Sequence, residues 1–390
     1  MDLTFTSIRE AEPGAKWQAG FARAWPGWRA WYLARGGGPR LDEAEMALRR
    51  HMPELERPWR RLVELVGGDE LAATFLTFWR PPAYLIHCSQ AVLSSPAGPV
   101  LVRNYDLDPR LSEATVLCSA WCGRQVIATM EAIGGAADGV NAAGLAVSLA
   151  FGGRRVVGPG FGVPLIIRYL LEICERTADA VAVLRRVPSH MAYNVTVVDR
   201  SGEVATVHLA PDRPAIVTRR PLATNHQIGI EWDEQARFSC TLERERHLEA
   251  LLARPGLSPA QLIAAFLAPP LFRTEHHRGF GTVYTAAYRP AAAELSLHWP
   301  GQPPWRQACA DFVEGRRHVR YGVADAGMAQ DGAPELGELL RSALKAGRHH
   351  LPEPFVAALA EALREPHRAD WSRLGRAWAA GRRCGPAVAG

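Results

Sequence analysis

Two apolar, β-prone segments, Tyr84–Leu93 and Pro99–Asp106, stand on either side of Ser94-Ser95-Pro96-Ala97-Gly98, and this pairing constrains the chain more than any other feature. The first is entered through Pro81-Pro82 and left through turn residues, so it reads as a strand that stops and reverses. If the two strands pair across a turn centred near residues 96 and 97, opposed residue numbers sum to roughly 193. Cys88 then lies opposite Tyr105, with Arg103 and Asp106 on either side, and a thiol, a guanidinium and a carboxylate are gathered by local topology alone. Arg103 and Asp106 are three residues apart and would face opposite sides of a regular strand. The reading therefore requires the 104–108 stretch to bend or bulge, with Asp106-Leu107-Asp108-Pro109 as the breaking point.

A chain of 390 residues that is 48% hydrophobic can bury one large core or two ordinary ones. It has no apolar run of about 18 residues, and its start carries neither a basic nor an apolar targeting region, so a cytoplasmic protein without a membrane span is expected. The net charge of +5 is spread by arginines interleaved with Asp and Glu, without a basic stripe, which argues against nucleic acid as a partner. Seven cysteines at irregular spacing make no disulfide framework. Cys118 and Cys122 lack the two-residue spacing of a zinc pair and read as buried apolar residues. No cofactor or metal is called for, and self-association is not readable.

Along the chain, Trp17, Phe21, Ala24, Trp25, Trp28 and Trp31 recur at helical spacing through residues 15–34, with Pro26 inside. The stripe reads as core packing, with a roof over an acyl pocket as the alternative. Acidic residues from Asp42 open a second helical region, and Gly67-Gly68 closes a third, so the first 80 residues read as helical. Strands are expected near 114–121, 124–133 and 139–150, with Asp138-Gly139 and Asn141–Gly144 as turns. Gly158-Pro159-Gly160-Phe161-Gly162 precedes a helix over 163–176. It lacks the Gly-Lys-Ser/Thr ending of a phosphate loop and reads as a flexible substrate-side loop. A short helix at 179–187, strands at 192–199, 203–209 and 214–219, helices at 239–254 and 258–267, and strands at 282–288 and 294–299 follow. Beyond about residue 315 the chain turns Arg- and Ala-rich and reads as helical. The order implies a layered α+β fold, divided into a helical leader over 1–87, a core over 88–315 and a helical C-terminal extension over 316–390.

Five motifs in sequence carry a resemblance: Cys88-Ser89, Arg103-Asn104-Tyr105-Asp106, Asp138-Gly139-Val140-Asn141-Ala142-Ala143-Gly144-Leu145, Tyr193-Asn194-Val195-Thr196-Val197-Val198-Asp199, and Thr224-Asn225-His226. Over roughly residues 84–305 the chain resembles the acyl-coenzyme A:6-aminopenicillanic acid acyltransferase family of N-terminal-nucleophile hydrolases, with choloylglycine hydrolases and acid ceramidase as distant relatives. His51-Met52-Pro53-Glu54-Leu55 and the two prolines before Tyr84 resemble leaders of bacterial members.

The resemblance implies a four-layer αββα sandwich and a catalytic set of Cys88, Arg103, Asp106 and Asn225. Cys88 would cleave the His87–Cys88 bond through a thioester and become a new N-terminus. Its freed α-amino group, with an ordinary pKa of about 7.7–8.0, would then serve as general base to its own thiol. Arg103 would favour the thiolate, Asp106 would orient the α-ammonium, and Asn225 would donate to the oxyanion. Asn194 and Arg244 are candidates for substrate binding. The chain departs from processed relatives at His87, where they usually carry a small residue.

The expected activity is amide hydrolysis or N-acyl transfer, on a small-molecule amide or acyl-CoA-type substrate. Two other readings stand beside it: a papain-like thiol hydrolase using Cys88 and His226, which acts without cleavage, and an uncleaved, non-catalytic ligand-binding relative.

Overall fold

The computed structural model describes residues 2–276 and 280–321. The leader supplies β1 (Asp2–Arg9), α1 (Ala15–Leu33), α2 (Leu41–His51), α3 (Glu56–Leu65) and α4 (Glu70–Leu76). Six strands follow: β2 (His87–Leu93), β3 (Val100–Leu107), β4 (Thr115–Ser119), β5 (Val126–Glu131), β6 (Gly135–Asn141) and β7 (Leu145–Phe151). Next come α5 (Val163–Ile173), α6 (Thr177–Arg186), β8 (Tyr193–Asp199), β9 (Val204–Ala210), β10 (Arg213–Thr218) and β11 (Leu222–Ala223). The remainder is α7 (Asp233–Ser239), α8 (Thr241–Leu252), α9 (Pro259–Phe266), β12 (Gly281–Arg289), β13 (Glu294–His298), β14 (Trp305–Ala308) and β15 (Gly315–Arg320).

One sheet runs β10-β9-β8-β7-β6-β5-β4-β1-β15 and the other β11-β2-β3-β12-β13-β14. Their inner faces meet where β2 packs on β7 and where β12 and β13 pack on β6. α5 and α6 cover the outer face of the large sheet, while α8 and α9 cover the outer face of the small one. The result is the four-layer αββα sandwich. Strands in the middle layers are buried on both faces, which is why β5, β6, β7 and β8 are buried throughout and read as apolar runs without alternation. Gly139 lets α5 approach: a Cβ there would stand 2.6 Å from Leu171 Cδ1 and 2.7 Å from Ile127 O.

Several expectations are corrected. The leader is not wholly helical, because β1 sits inside the large sheet, parallel to β4 and antiparallel to β15, with Phe5 buried against Trp299 at 5.0 Å between ring centroids. The stretch after residue 315 opens with the strand β15 rather than a helix, since its backbone completes that sheet edge. The rest of the expected C-terminal extension, from residue 322, lies outside the described residues. Asp138-Gly139 is no turn but the middle of β6, and the turn falls at 142–144. The expected 239–254 helix is broken at Cys240, which takes left-handed angles between α7 and α8.

The glycine loop at 158–162 grips the leader instead of facing substrate. Arg80 N donates to Gly160 O at 2.8 Å, Gly162 N donates to Phe78 O at 2.8 Å, and a Cβ on Gly160 would meet Ser189 C at 2.4 Å. The aromatic stripe of α1 packs on Phe75 of α4, and Trp31 also meets Tyr84 at a ring distance of 6.5 Å. No helix among the described residues is long and apolar enough to cross a membrane.

Candidate active site

β2 and β3 pair in the expected register, with His87 opposite Asp106, Cys88 opposite Tyr105 and Gln90 opposite Arg103. Side chains opposed across an antiparallel pair share a face, and alternate residues share it too. Cys88, Arg103 and Tyr105 therefore point between the sheets, while Asp106 points toward the α7–α9 layer. β3 needs no bend, contrary to the sequence reading: it stays in register with β2 through Asp106, and the irregularity falls on β12 between Thr282 and Tyr284. The thiol and the carboxylate are linked instead through the main chain of Cys88.

On the inner face, Arg103 Nη2 lies 2.7 Å from Cys88 Sγ and also donates to Leu149 O at 3.2 Å. Arg103 Nη1 pairs with Asp138, and the guanidinium lies 4.7 Å over the Tyr105 ring. Asp138 further accepts from Thr129, Tyr288 and, at 2.9 Å, Tyr284 Oη. Arg103 and Asp138 are both fully buried, so the pair fixes the fork that faces the sulfur. Burial pushes the Cys88 thiol up to about 12 in the uncleaved chain, against the lowering field of Arg103. Desolvation outweighs the guanidinium there, while Arg103 acts in the expected direction, toward the thiolate.

On the outer face, Arg244 of α8 reaches back to β2. Nη1 donates to Cys88 O and to Ser89 Oγ, each at 2.7 Å, Nη2 donates to Asn225 Oδ1 at 2.6 Å, and Nε donates to Ser239 O at 2.9 Å. The left-handed Cys240 makes this reach feasible by restarting the helix just before it. Asp106 Oδ1 accepts from Thr282 Oγ1 at 2.7 Å, while the buried Oδ2 accepts no hydrogen bond among the described residues and stands 3.9 Å from Arg244 Nη1. Burial raises the Asp106 pKa, with Arg244 and Thr282 opposing, and burial lowers that of Arg244.

Asn225 presents its oxygen to the His87–Cys88 peptide bond. Cys88 N donates to Asn225 Oδ1 at 3.1 Å, and Asn225 Nδ2 donates to Phe151 O at 3.2 Å. Two donors converge on Oδ1, which fixes the amide orientation. Asn225 thus accepts from the N–H of the His87–Cys88 bond through Oδ1, with Nδ2 turned to Phe151 O. Asn194 holds that loop in place. Its Nδ2 donates to Thr224 O and His226 O at 2.9 and 2.7 Å, and its Oδ1 accepts from His208 Nδ1 at 2.8 Å. These contacts make Asn194 a brace for the backbone on either side of Asn225.

His226, the base of the papain-like alternative, turns to α8. Nδ1 lies 2.9 Å from Thr241 Oγ1 and Nε2 3.2 Å from Glu245. The Cys88 sulfur is met by Arg103, so the cysteine–histidine contact that alternative needs has no geometric basis here. An open groove of about 1020 Å³ around Trp121, Cys122 and Glu172 is bordered by none of these site residues. Among the described residues, no three His, Cys, Asp or Glu side chains come together to hold a metal.

The model of one family, described as acyl-coenzyme A:6-aminopenicillanic acid acyl-transferase, matches residues 93–303, more than half of the chain. The chain belongs to the acyl-coenzyme A:6-aminopenicillanic acid acyl-transferase family. The matched span holds Arg103, Asp106, Asn194, Asn225 and Arg244, and begins five residues beyond Cys88.

Among solved structures the chain is similar to a mutant of conjugated bile acid hydrolase from Clostridium perfringens, at 10% identity and TM-score 0.44, covering 60% of this chain and 97% of that one. It is also similar to penicillin V acylase from Agrobacterium tumefaciens, at 12% identity and TM-score 0.39 over 57% and 86% of the two chains. A Caenorhabditis elegans ortholog of N-acylethanolamine-hydrolyzing acid amidase matches at 14% identity and TM-score 0.38, over 52% and 93%. The search of curated proteins found no significant match.

Sequence reasoning placed the hairpin set but missed Asp138 as the partner of this family member's Arg103, because Asp-Gly reads as turn chemistry. It also missed Glu131, whose carboxylate accepts from the Tyr105 hydroxyl. Burial raises the Glu131 pKa to about 8 and that of nearby Glu113 to about 7. The signal for both was present as single acidic residues in otherwise apolar stretches.

Proposed function

We propose that this protein is a self-processing cysteine amide hydrolase or acyltransferase of the N-terminal-nucleophile type. The observation that carries the reading is the convergence on one residue: Arg103 meets the Cys88 sulfur, Asn225 accepts from its nitrogen, and Arg244 donates to its carbonyl. A buried structural cysteine needs only packing; here charge-assisted donors hold both the side chain and the main chain.

In self-cleavage the sulfur attacks the carbonyl carbon of His87, the C–N bond to Cys88 breaks, and the thiol proton ends on the departing nitrogen. Water then hydrolyses the thioester, leaving a His87 carboxylate and a free Cys88 α-amino group. Asp106 Oδ2 and Asn225 Oδ1 are acceptors suited to that group. In turnover the α-amine takes the thiol proton, sulfur bonds to the acyl carbon of an amide or acyl-CoA-type substrate, and the leaving group departs with the proton. Water or an amine then accepts the acyl group from Cys88. Asn225 Nδ2 is the oxyanion donor once a substrate carbonyl competes for it with Phe151 O.

Intact mass spectrometry tests this. The wild-type chain should resolve into fragments 1–87 and 88–390, and an acyl donor should add its acyl mass to the second. Cys88→Ala should remain one chain with no adduct. A wild-type chain that stays whole and takes no adduct would refute the reading in favour of a non-catalytic binder; one that stays whole yet forms the adduct refutes self-processing alone.

A further inference from the structure

We propose that the space filled by the His87 side chain is the acyl subsite, and that it selects a planar acyl group bearing an anionic substituent. The inference rests on the reading of Cys88 given above. In self-cleavage His87 is the acyl half: its carbonyl carbon is the one sulfur bonds. A substrate acyl carbon takes that place in turnover, so the group attached to it extends to where the imidazole now lies.

That place is lined by aromatic rings. The His87 ring is 6% exposed and stands edge-on to Phe280 at 4.6 Å and to Phe238 at 5.4 Å, with the two phenyl rings 5.1 Å apart. Phe238 and Phe280, tilted 53° to each other, line one side of that space and offer an aromatic acyl group the edge-to-face contacts the imidazole now makes, which a flexible chain does not reproduce. The Arg273 guanidinium lies 4.5 Å over Phe280 and 5.9 Å over Phe238. Its Nη1 donates to Phe238 O at 3.4 Å, and its buried Nε makes no hydrogen bond among the described residues, with Glu275 Oε2 3.6 Å away.

His87 satisfies this lining poorly. Its buried Nε2 has no hydrogen-bond partner among the described residues, and burial with the fields of Arg244 and Arg273 holds its pKa well below the ordinary histidine value. The neutral ring fills the shape but offers no anion to the cationic side, where Arg273 Nε stands 3.6 Å from Glu275 Oε2. An anionic substituent on a planar acyl group would use both, with Arg273 as the specificity-determining residue.

The test needs no thiol chemistry, so its failure is separable from failure of the functional reading. His87→Gly in a Cys88→Ala background empties the slot in the full chain, and binding of benzoate, hexanoate and benzylamine is measured by calorimetry. Benzoate should bind at least tenfold more tightly than to Cys88→Ala alone and at least fivefold more tightly than hexanoate, and benzylamine should not bind. Adding Arg273→Gln should weaken benzoate at least fivefold. Benzoate affinity that ignores His87 or Arg273, or hexanoate binding as well as benzoate, would overturn the proposal. Should the glycine variant not fold, His87→Ala opens the same ring space, and the same comparisons decide the outcome.

Discussion

The contact between Arg103 and the Cys88 sulfur can be isolated by replacing Arg103 with Met and Asp138 with Asn together. Arg103→Met alone would strand a buried carboxylate, a change that costs ~3–5 kcal/mol when no other partner exists. Asp138 retains the hydroxyls of Thr129, Tyr284 and Tyr288, so the loss lies toward the low end, and the double variant removes it. What the double variant then takes from the Cys88 sulfur is one charge-assisted hydrogen bond, worth ~1.5–3 kcal/mol, while the bond to Leu149 O and the contact over Tyr105 are lost with it. At 1.36 kcal/mol per pKa unit, this is about one to two units.

The sign follows from what the guanidinium opposes. Burial already lifts the thiol to about 12, and removing the cation lifts it further. Between pH 6 and 9 the thiol is almost wholly protonated in either protein, so the thiolate fraction rises tenfold per pH unit and the variant trails by about 10- to 100-fold. The assay is cell-free synthesis followed by a time course of intact mass across that pH range. The double variant should process about 10- to 100-fold more slowly, with an unchanged slope. Processing within twofold of wild type at every pH would remove Arg103 from the mechanism.

Two further outcomes follow from the same framework. Cleavage should not release the leader, because β1 is an inner strand of the large sheet and Phe5 is 1% exposed in its core; fragments 1–87 and 88–390 should co-elute in native gel filtration and separate only in denaturant. Phe5→Ala, which costs ~3–5 kcal/mol in a well-packed core, should lower the denaturation midpoint markedly, and a midpoint within error of wild type would refute the leader's structural role. The raised carboxyls at Glu131 and Glu113 bind protons more tightly folded than unfolded. Their contribution is fully present below pH about 4.5 and is lost as pH rises toward 7–8. Denaturant midpoints should fall over that window by an amount that Glu113→Gln with Glu131→Gln flattens, and an identical slope in both proteins would count against it.

Sequence alone determined the parts of this protein that are local. The Ser-Ser-Pro-Ala-Gly turn sets the β2–β3 register, the register puts Cys88 across from Tyr105, and alternation then carries Arg103 to the sulfur's face. The strand and helix order likewise implied layered α+β architecture, because apolar periodicity is written residue by residue. Tertiary structure alone decided which distant groups complete the site. Asp138 and Arg244 lie 35 and 156 residues from their partners Arg103 and Cys88, and no local pattern distinguishes a turn aspartate from a strand aspartate paired to a buried guanidinium. Nor does local pattern show that β1 joins the sheet beside β4 and β15. A strand's own residues state that it will pair, while its partner is chosen by whichever edge the folded chain leaves open.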